Sequence, residues 1–387
     1  HRRQRRLLEM AIKVGQTISA NAASRLRLVT ARLLLEDFKQ PERAIEFLRE
    51  SLAIDPTNVE ANLLMGGALE HRGEIEGAVE SFRKVLTDDP RSVEAYRGVN
   101  RLMGVLGKPS LATAAASLLD VLGAATPAER GQVKALDQLN VPPGMLEVGR
   151  FPIRARLKQL SQVVEIVVPY LGPVYPLELT RPPAEGAAVA LVEGIAAVLG
   201  LNGVSVHIEG EEPARSGVGI PPVLRVSERV ARQPRSPVFR FWVGRALSAA
   251  ATAGSMLERL SNSELGVLIE ALFATRPGGE AQQLRKQLNR FVPRKVRKQL
   301  EQVRIEHIDV RVWDHYRMEE KRRADLIGML ICGNPKVAIA ELSAAEGVFG
   351  DFTRSPRVRE LMTFAVSDQY AALHSAVWGA RRPERTG

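Results

Sequence analysis

The sequence predicts an α+β chain: an N-terminal all-α solenoid of helix pairs, followed by a mostly helical domain with a small sheet. Three observations predict it. Small and turn-forming residues recur 34 apart: Pro56 and Pro90, Ala61 and Ala95, Gly73 and Gly107, and the series Ala44, Ala78, Ala112. Val204, Val206 and Ile208 alternate with Ser205, His207 and Glu209, the period of a half-buried strand. Pro237–Ala250, PVFRFWVGRALSAA, is apolar nearly all round, which marks a helix enclosed by protein.

The chain has 387 residues, 45% of them hydrophobic and 25% charged, an ordinary globular composition with core enough for two or three domains. The net charge of +10 is uneven: residues 1–120 carry 18 basic and 16 acidic side chains, so +8 falls beyond them. An excess of this size is a solubility feature or a footprint for nucleic acid or an anionic membrane. One cysteine, Cys332, leaves no intramolecular disulfide and no cysteine-based metal site; this fits a reducing compartment, and the cytoplasm is favoured. No apolar run reaches eighteen residues, so no transmembrane span is expected. The chain opens HRRQRR without Met and reads as a fragment of a longer protein.

Residues 3–20 pattern as a helix, and the repeats follow over 24–122 in about three units. The central one reads PTNVEANLLMGGALEHRGEIEGAVESFRKVLTDDP. Gly66 and Ala78 let two antiparallel helices approach, Gly73 serves the turn between them, and Phe82 fills the space above the pair. Pro56 and Pro90 open the next unit, where a helix has already ended. In the flanking units the Phe82 position holds Leu48 and Ala116. Period and residue type together resemble the tetratricopeptide repeat, carried by Ala61, Leu63, Gly66, Gly73, Ala78, Phe82 and Pro90. The resemblance implies a concave groove that binds peptide segments or helices, or one that packs against its own chain.

Residues 1–126 are therefore expected to form the array, 127–150 a linker broken by Pro142-Pro143-Gly144, 151–379 the second domain and 380–387 a disordered tail. Within the second domain, 153–168 reads as a helix running into a strand, Glu185–Leu199 as a helix ended by Gly200, and 221–226 as a second strand. A polar connection, Arg229–Arg235, leads to the enclosed helix. Leu257–Phe273 reads as one helix with Ser261 or Ser263 as an internal cap. Residues 280–304 are a basic helix kinked or restarted at Pro293. Helices over Trp313–Cys332 and Lys336–Leu342 are separated by Gly333-Asn334-Pro335, and a last one runs through 357–378.

The enclosed helix, followed at a distance by the pair Ala324-Asp325, resembles the minimal gluzincin metallopeptidases over residues 190–342. In that family an HExxH helix and a later E-x-x-A-D helix hold zinc: two His one turn apart and a later Glu are ligands, and the Glu beside the first His is the general base. Laid over this chain, the first His falls on Gly244, the base on Arg245, the second His on Ser248 and the third ligand on Lys321. The Ala324-Asp325 pair keeps its type. The resemblance thus implies a pseudoenzyme with neither metal nor cofactor, in which Asp325 either pairs with Arg245 or is a surface residue.

The remaining candidates are few. Arg285, Lys286, Arg290, Arg294, Lys295, Arg297 and Lys298 belong to a stretch, Arg285–Arg304, with eight bases and one acid; it is an anion-binding surface or a solvated helix face. His307 and His315, near Asp309 and Asp314, read as solvated polar residues, and Ser216-Gly217-Val218-Gly219 is too short for a phosphate loop. Three functions follow. The first is a non-catalytic interaction protein docking protein partners; the second is an enzyme with ligands such as His207, His315 and Asp325; the third is a binder of nucleic acid or anionic membrane.

Overall fold

The computed structural model describes residues 20–133, 146, 157–302, 310–348 and 351–378. The helix expected from residue 3, most of the expected linker and the tail 380–387 lie outside the described residues. The first six helices are three antiparallel pairs: α1 (Ala20–Glu36) with α2 (Pro41–Ile54), α3 (Val59–His71) with α4 (Ile75–Asp88), and α5 (Val93–Val105) with α6 (Pro109–Val121). The 34-residue period reaches details the residue spacing did not predict. Asn58 and Ser92, 34 apart, are both N-caps, accepting from Ala61 N at 2.9 Å and Ala95 N at 3.4 Å. Gly73 and Gly107 turn the second and third pairs with φ of 80° and 64°. The equivalent position of the first pair is Lys39, which adopts the same left-handed conformation at φ 51° despite its Cβ.

Phe82 is held between glycines on two neighbouring pairs. A Cβ on Gly66 would stand 2.7 Å from one edge of the ring, and a Cβ on Gly98 2.5 Å from the other. Ala44 and Ala78 are fully buried, as their spacing predicts. Ala112, expected in the same setting, is only half-buried. Where the central pair has Gly66, the third has Asn100, whose amide reaches the Ala112 carbonyl at 2.7 Å. After the third pair the chain continues into α7 (Pro127–Gly131), started by a capping box from Thr126 and Glu129, so the expected linker begins as a helix.

The next stretch holds α8 (Lys158–Val167), which ends in a 3-10 turn rather than a strand, and α9 (Ala187–Val198). Three short strands follow: β1 (Ser205–Ile208), β2 (Ala214–Gly217) and β3 (Val223–Val226), in the order β1-β3-β2. β1 pairs parallel to β3 with Ser205 opposite Val223, and β2 pairs antiparallel to β3 with Ala214 opposite Val226. The expected alternation of β1 fails at its polar positions: His207 and Glu209 are buried. The segment beside the sheet supplies their partners. Glu209 accepts from Thr180 N and Arg181 N at 2.9 and 3.0 Å, and His207 Nδ1 lies 2.9 Å from the Arg181 carbonyl.

A short α10 (Glu228–Ala231) precedes α11 (Pro237–Ala250), the enclosed helix. The single helix expected over 257–273 is two, α12 (Gly254–Leu257) and α13 (Asn262–Phe273), because Ser261 forms a capping box with Glu264 and starts α13 afresh. The basic stretch is α14 (Gly279–Phe291) and α15 (Arg294–Glu301), broken at Pro293. α16 (Val310–Cys332) packs along α11, and β2 and β3 lie against α11. α17 (Pro335–Ala345), α18 (Pro356–Ala365) and α19 (Asp368–Trp378) complete the described chain; the single last helix expected from residue 357 is interrupted before Asp368. Among the described residues no helix is long and apolar enough to cross a membrane.

Contacts divide the chain into two units, and the division differs from the expected boundary. The repeat unit comprises residues 1–135 together with 342–372; the second comprises 136–341 and 373–387. The returning segment is fixed to the second helices of the repeats. α18 packs on α4 and α6. Arg83 donates to the Val366 carbonyl at 2.8 Å and to both carboxylate oxygens of Asp368 at 2.8 and 3.2 Å, and Lys108 reaches Asp368 at 3.2 Å.

Candidate protein-docking groove

The first helices of the three pairs, α1, α3 and α5, line a groove with a cavity of about 800 Å³. Its apolar lining comes from Leu35, Leu63, Leu64 and Phe82, of which the three leucines are half-buried and offer surface to an occupant. Charges of both signs edge it: Glu36, Glu70 and Glu94 against Lys39, Arg97 and Arg101. Arg101 spans neighbouring pairs, gripping both oxygens of Glu70 at 2.6 and 2.5 Å, and that bond raises its pKa further. Arg97 donates to the Ala124 carbonyl at 2.8 Å. The Arg101–Glu70 bonds tie α5 to α3 beside the apolar lining. The repeat-packing residues Ala44, Ala61, Ala78 and Ala95 are all fully buried, so they shape the groove without lining it.

The five positions read as former metal positions lie on α11 and α16. Arg245 Nε donates to Asp325 Oδ1 at 2.9 Å and Arg245 Nη2 to Glu258 Oε1 at 3.0 Å, with the Asp325 side chain 2% exposed. Burial alone would lower the guanidinium pKa; the two carboxylates outweigh it and raise it, so the site holds a fixed cation between two anions. The expected Arg245–Asp325 pair is present. Glu258, the second carboxylate, went unread because it lies beyond α11, at the end of the short α12, with no spacing to mark it. Gly244 has a packing role: a Cβ there would stand 2.8 Å from that of Ile331. Opposite, a Cβ on Gly328 would stand 3.0 Å from the Phe241 carbonyl oxygen. Ser248 is buried with no hydrogen-bond partner for its hydroxyl among the described residues, and Lys321 is half-buried on α16. Next to Lys321, the buried Glu320 accepts from Thr252 Oγ1 at 2.6 Å and from Arg323 at 3.0 Å; its burial raises its pKa.

The other candidates are dispersed. His207 is taken by Arg181 and Ser205, His315 turns to the Arg311 carbonyl at 2.7 Å, and Asp325 belongs to Arg245. No three His, Cys, Asp or Glu side chains among the described residues are grouped as a metal would require. His307 and Asp309 lie outside them. Ser216 and Gly217 belong to strand β2. Cys332 is buried, which pushes its thiol up to about 12. Of the basic residues, Arg285 is committed to the carbonyls ending α13, at 2.6 Å from Ala271 O, while Lys286, Arg290 and Lys295 are exposed.

No curated protein matches this chain. A family profile described as tetratricopeptide repeat matches residues 35–102, from the end of α1 into α5, which is the stretch that supplies most of the groove.

Proposed function

We propose that this protein is a non-catalytic docking protein, whose repeat groove holds a segment of a protein partner and whose second unit is a zincin-like domain without metal ligands. The observation that carries the first part is the placement of its own returning segment. Residues 342–372 pack on the second helices of the repeats, whereas the first helices line the open groove. Repeats matched by the tetratricopeptide profile point to protein partners in general. The lining narrows the occupant. A segment with apolar side chains between charges of both signs suits it, and a uniformly charged one meets like charge among the lining residues.

The second part is supported by the resemblance over residues 190–342 and by Arg245, which holds two carboxylates where the family's general base would stand. A cation fixed there opposes a dication, and no cofactor is required. The groove is tested by substitution within it and away from it. Leu64→Glu should abolish partner binding, while Val105→Glu, at an exposed residue outside the groove lining, should preserve it. Equal loss in both variants would remove the groove from the reading. The second part is tested by metal analysis of protein purified without chelator and by peptidase assay. Stoichiometric zinc with chelator-sensitive proteolysis would overturn it.

A further inference from the structure

We infer that the cavity enclosed by α13, α14 and α15 binds the phosphate group of a small molecule. The cavity measures about 610 Å³, the size of a single-ligand pocket. Arg294, Arg297 and Lys298 line it from α15. Their i, i+3, i+4 spacing puts all three on one helix face, where like charges destabilise the helix unless an anion lies among them. Among the described residues no carboxylate lines the cavity, and Arg294 and Lys298 make no ion pair. Arg297 donates through Nη1 to Asn289 Oδ1 at 2.9 Å, but its Nε–H is buried without a partner.

Arg285 completes the electrostatics. The C-terminal carbonyls of α13 face this region and would repel an anion. Arg285 covers them, bonding to the Ala271 carbonyl at 2.6 Å and to that of Ala274. The half-buried Leu272 and Phe273 give the rest of the ligand an apolar wall. A long polyanion fits less well, because Lys286, Arg290 and Lys295 are absent from the lining.

The test titrates pyrophosphate into the full chain at low salt by calorimetry. Saturable one-site binding is expected, weakened about tenfold or more in R294Q/K298Q, which loses two charge-assisted contacts. The control K286Q/K295Q removes the same charge outside the cavity and should bind like the parent. All four residues are exposed, so the fold should tolerate both pairs; should R294Q/K298Q lose its helical circular dichroism, R297Q carries the same comparison. Vesicles of phosphatidylglycerol form the second arm. Vesicle binding displaced by pyrophosphate would place a lipid headgroup in the cavity and support the site. Vesicle binding that pyrophosphate leaves intact, equal weakening in both pairs, or no saturation would overturn it.

Discussion

The repeat pairs and the α11–α16 pair both bring helices together over glycine, but they enclose different things. In the repeats, Gly66 and Gly98 close on the ring of Phe82. Between α11 and α16, Gly244 and Gly328 close around Ile331 and the Phe241 carbonyl, and the neighbouring position holds Arg245 between Asp325 and Glu258. An apolar contact tolerates loss of atoms in proportion to the volume lost. A buried ion group does not, because removing one member leaves a charge that neither water nor protein compensates. The two regions should therefore fail differently.

The sharpest contrast comes from Arg245→Met. It removes the guanidinium from Asp325, 2% exposed, and from Glu258, and should cost about 3–5 kcal/mol in denaturant unfolding. Adding Asp325→Asn should restore part of that loss; if the single and double variants are equally unstable, packing rather than charge holds this helix pair. In the repeats, Ala78→Leu inserts volume at a fully buried position and should cost about 1–3 kcal/mol by the same measurement. A smaller change, of opposite sign, is expected at the turn of the first pair. Lys39→Gly relieves a left-handed residue whose equivalents are Gly73 and Gly107, and should raise stability by about 0.5–1 kcal/mol. An unchanged or lowered midpoint would mean that the turn is not strained.

The smallest effect concerns pH. Hydrogen bonds from Arg83, then its charge and that of Lys108, hold the Asp368 carboxyl down to about 2 from an ordinary 3.8. A depressed folded pKa contributes stability above about 3.8 and loses it as pH falls toward about 2. The Asp368 side chain is 63% exposed, so solvent screening keeps the contribution modest. Asp368→Asn should flatten the acid limb of the repeat unit's stability between those values, and a parallel acid limb would show that the bond does not hold the returning segment.

What could be read from the sequence followed from repetition and from length. Three copies of one contact made Ala44, Ala78 and Gly73 visible, and a fourteen-residue stretch apolar nearly all round made α11 visible. Features built once left no such trace. β2 reads Ala-Arg-Ser-Gly, with neither alternation nor β-branched residues, and it forms because β3 offers an edge. The donors that bury Glu209 lie 28 and 29 residues away in an irregular stretch. The close approach that Gly244 allows to Ile331 was not visible either, because a glycine that permits packing and a glycine that replaces something look alike in one sequence. The groove's charged edges were equally hidden: Arg101 and Glu70 meet only once the pairs stack.

The interrupted repeat unit sets an order of events during synthesis. Between its first part, ending at residue 135, and its second, beginning at 342, the ribosome makes 206 other residues. At ~5–20 residues per second this takes on the order of 10–40 s. Throughout that interval the faces of α4 and α6 that α18 will cover are complete but bare, and Arg83 has no Asp368 to hold. The nascent chain therefore carries an apolar surface far longer than the microseconds a helix needs to form. Its folding in the cell depends on what shields that surface until the last segment returns.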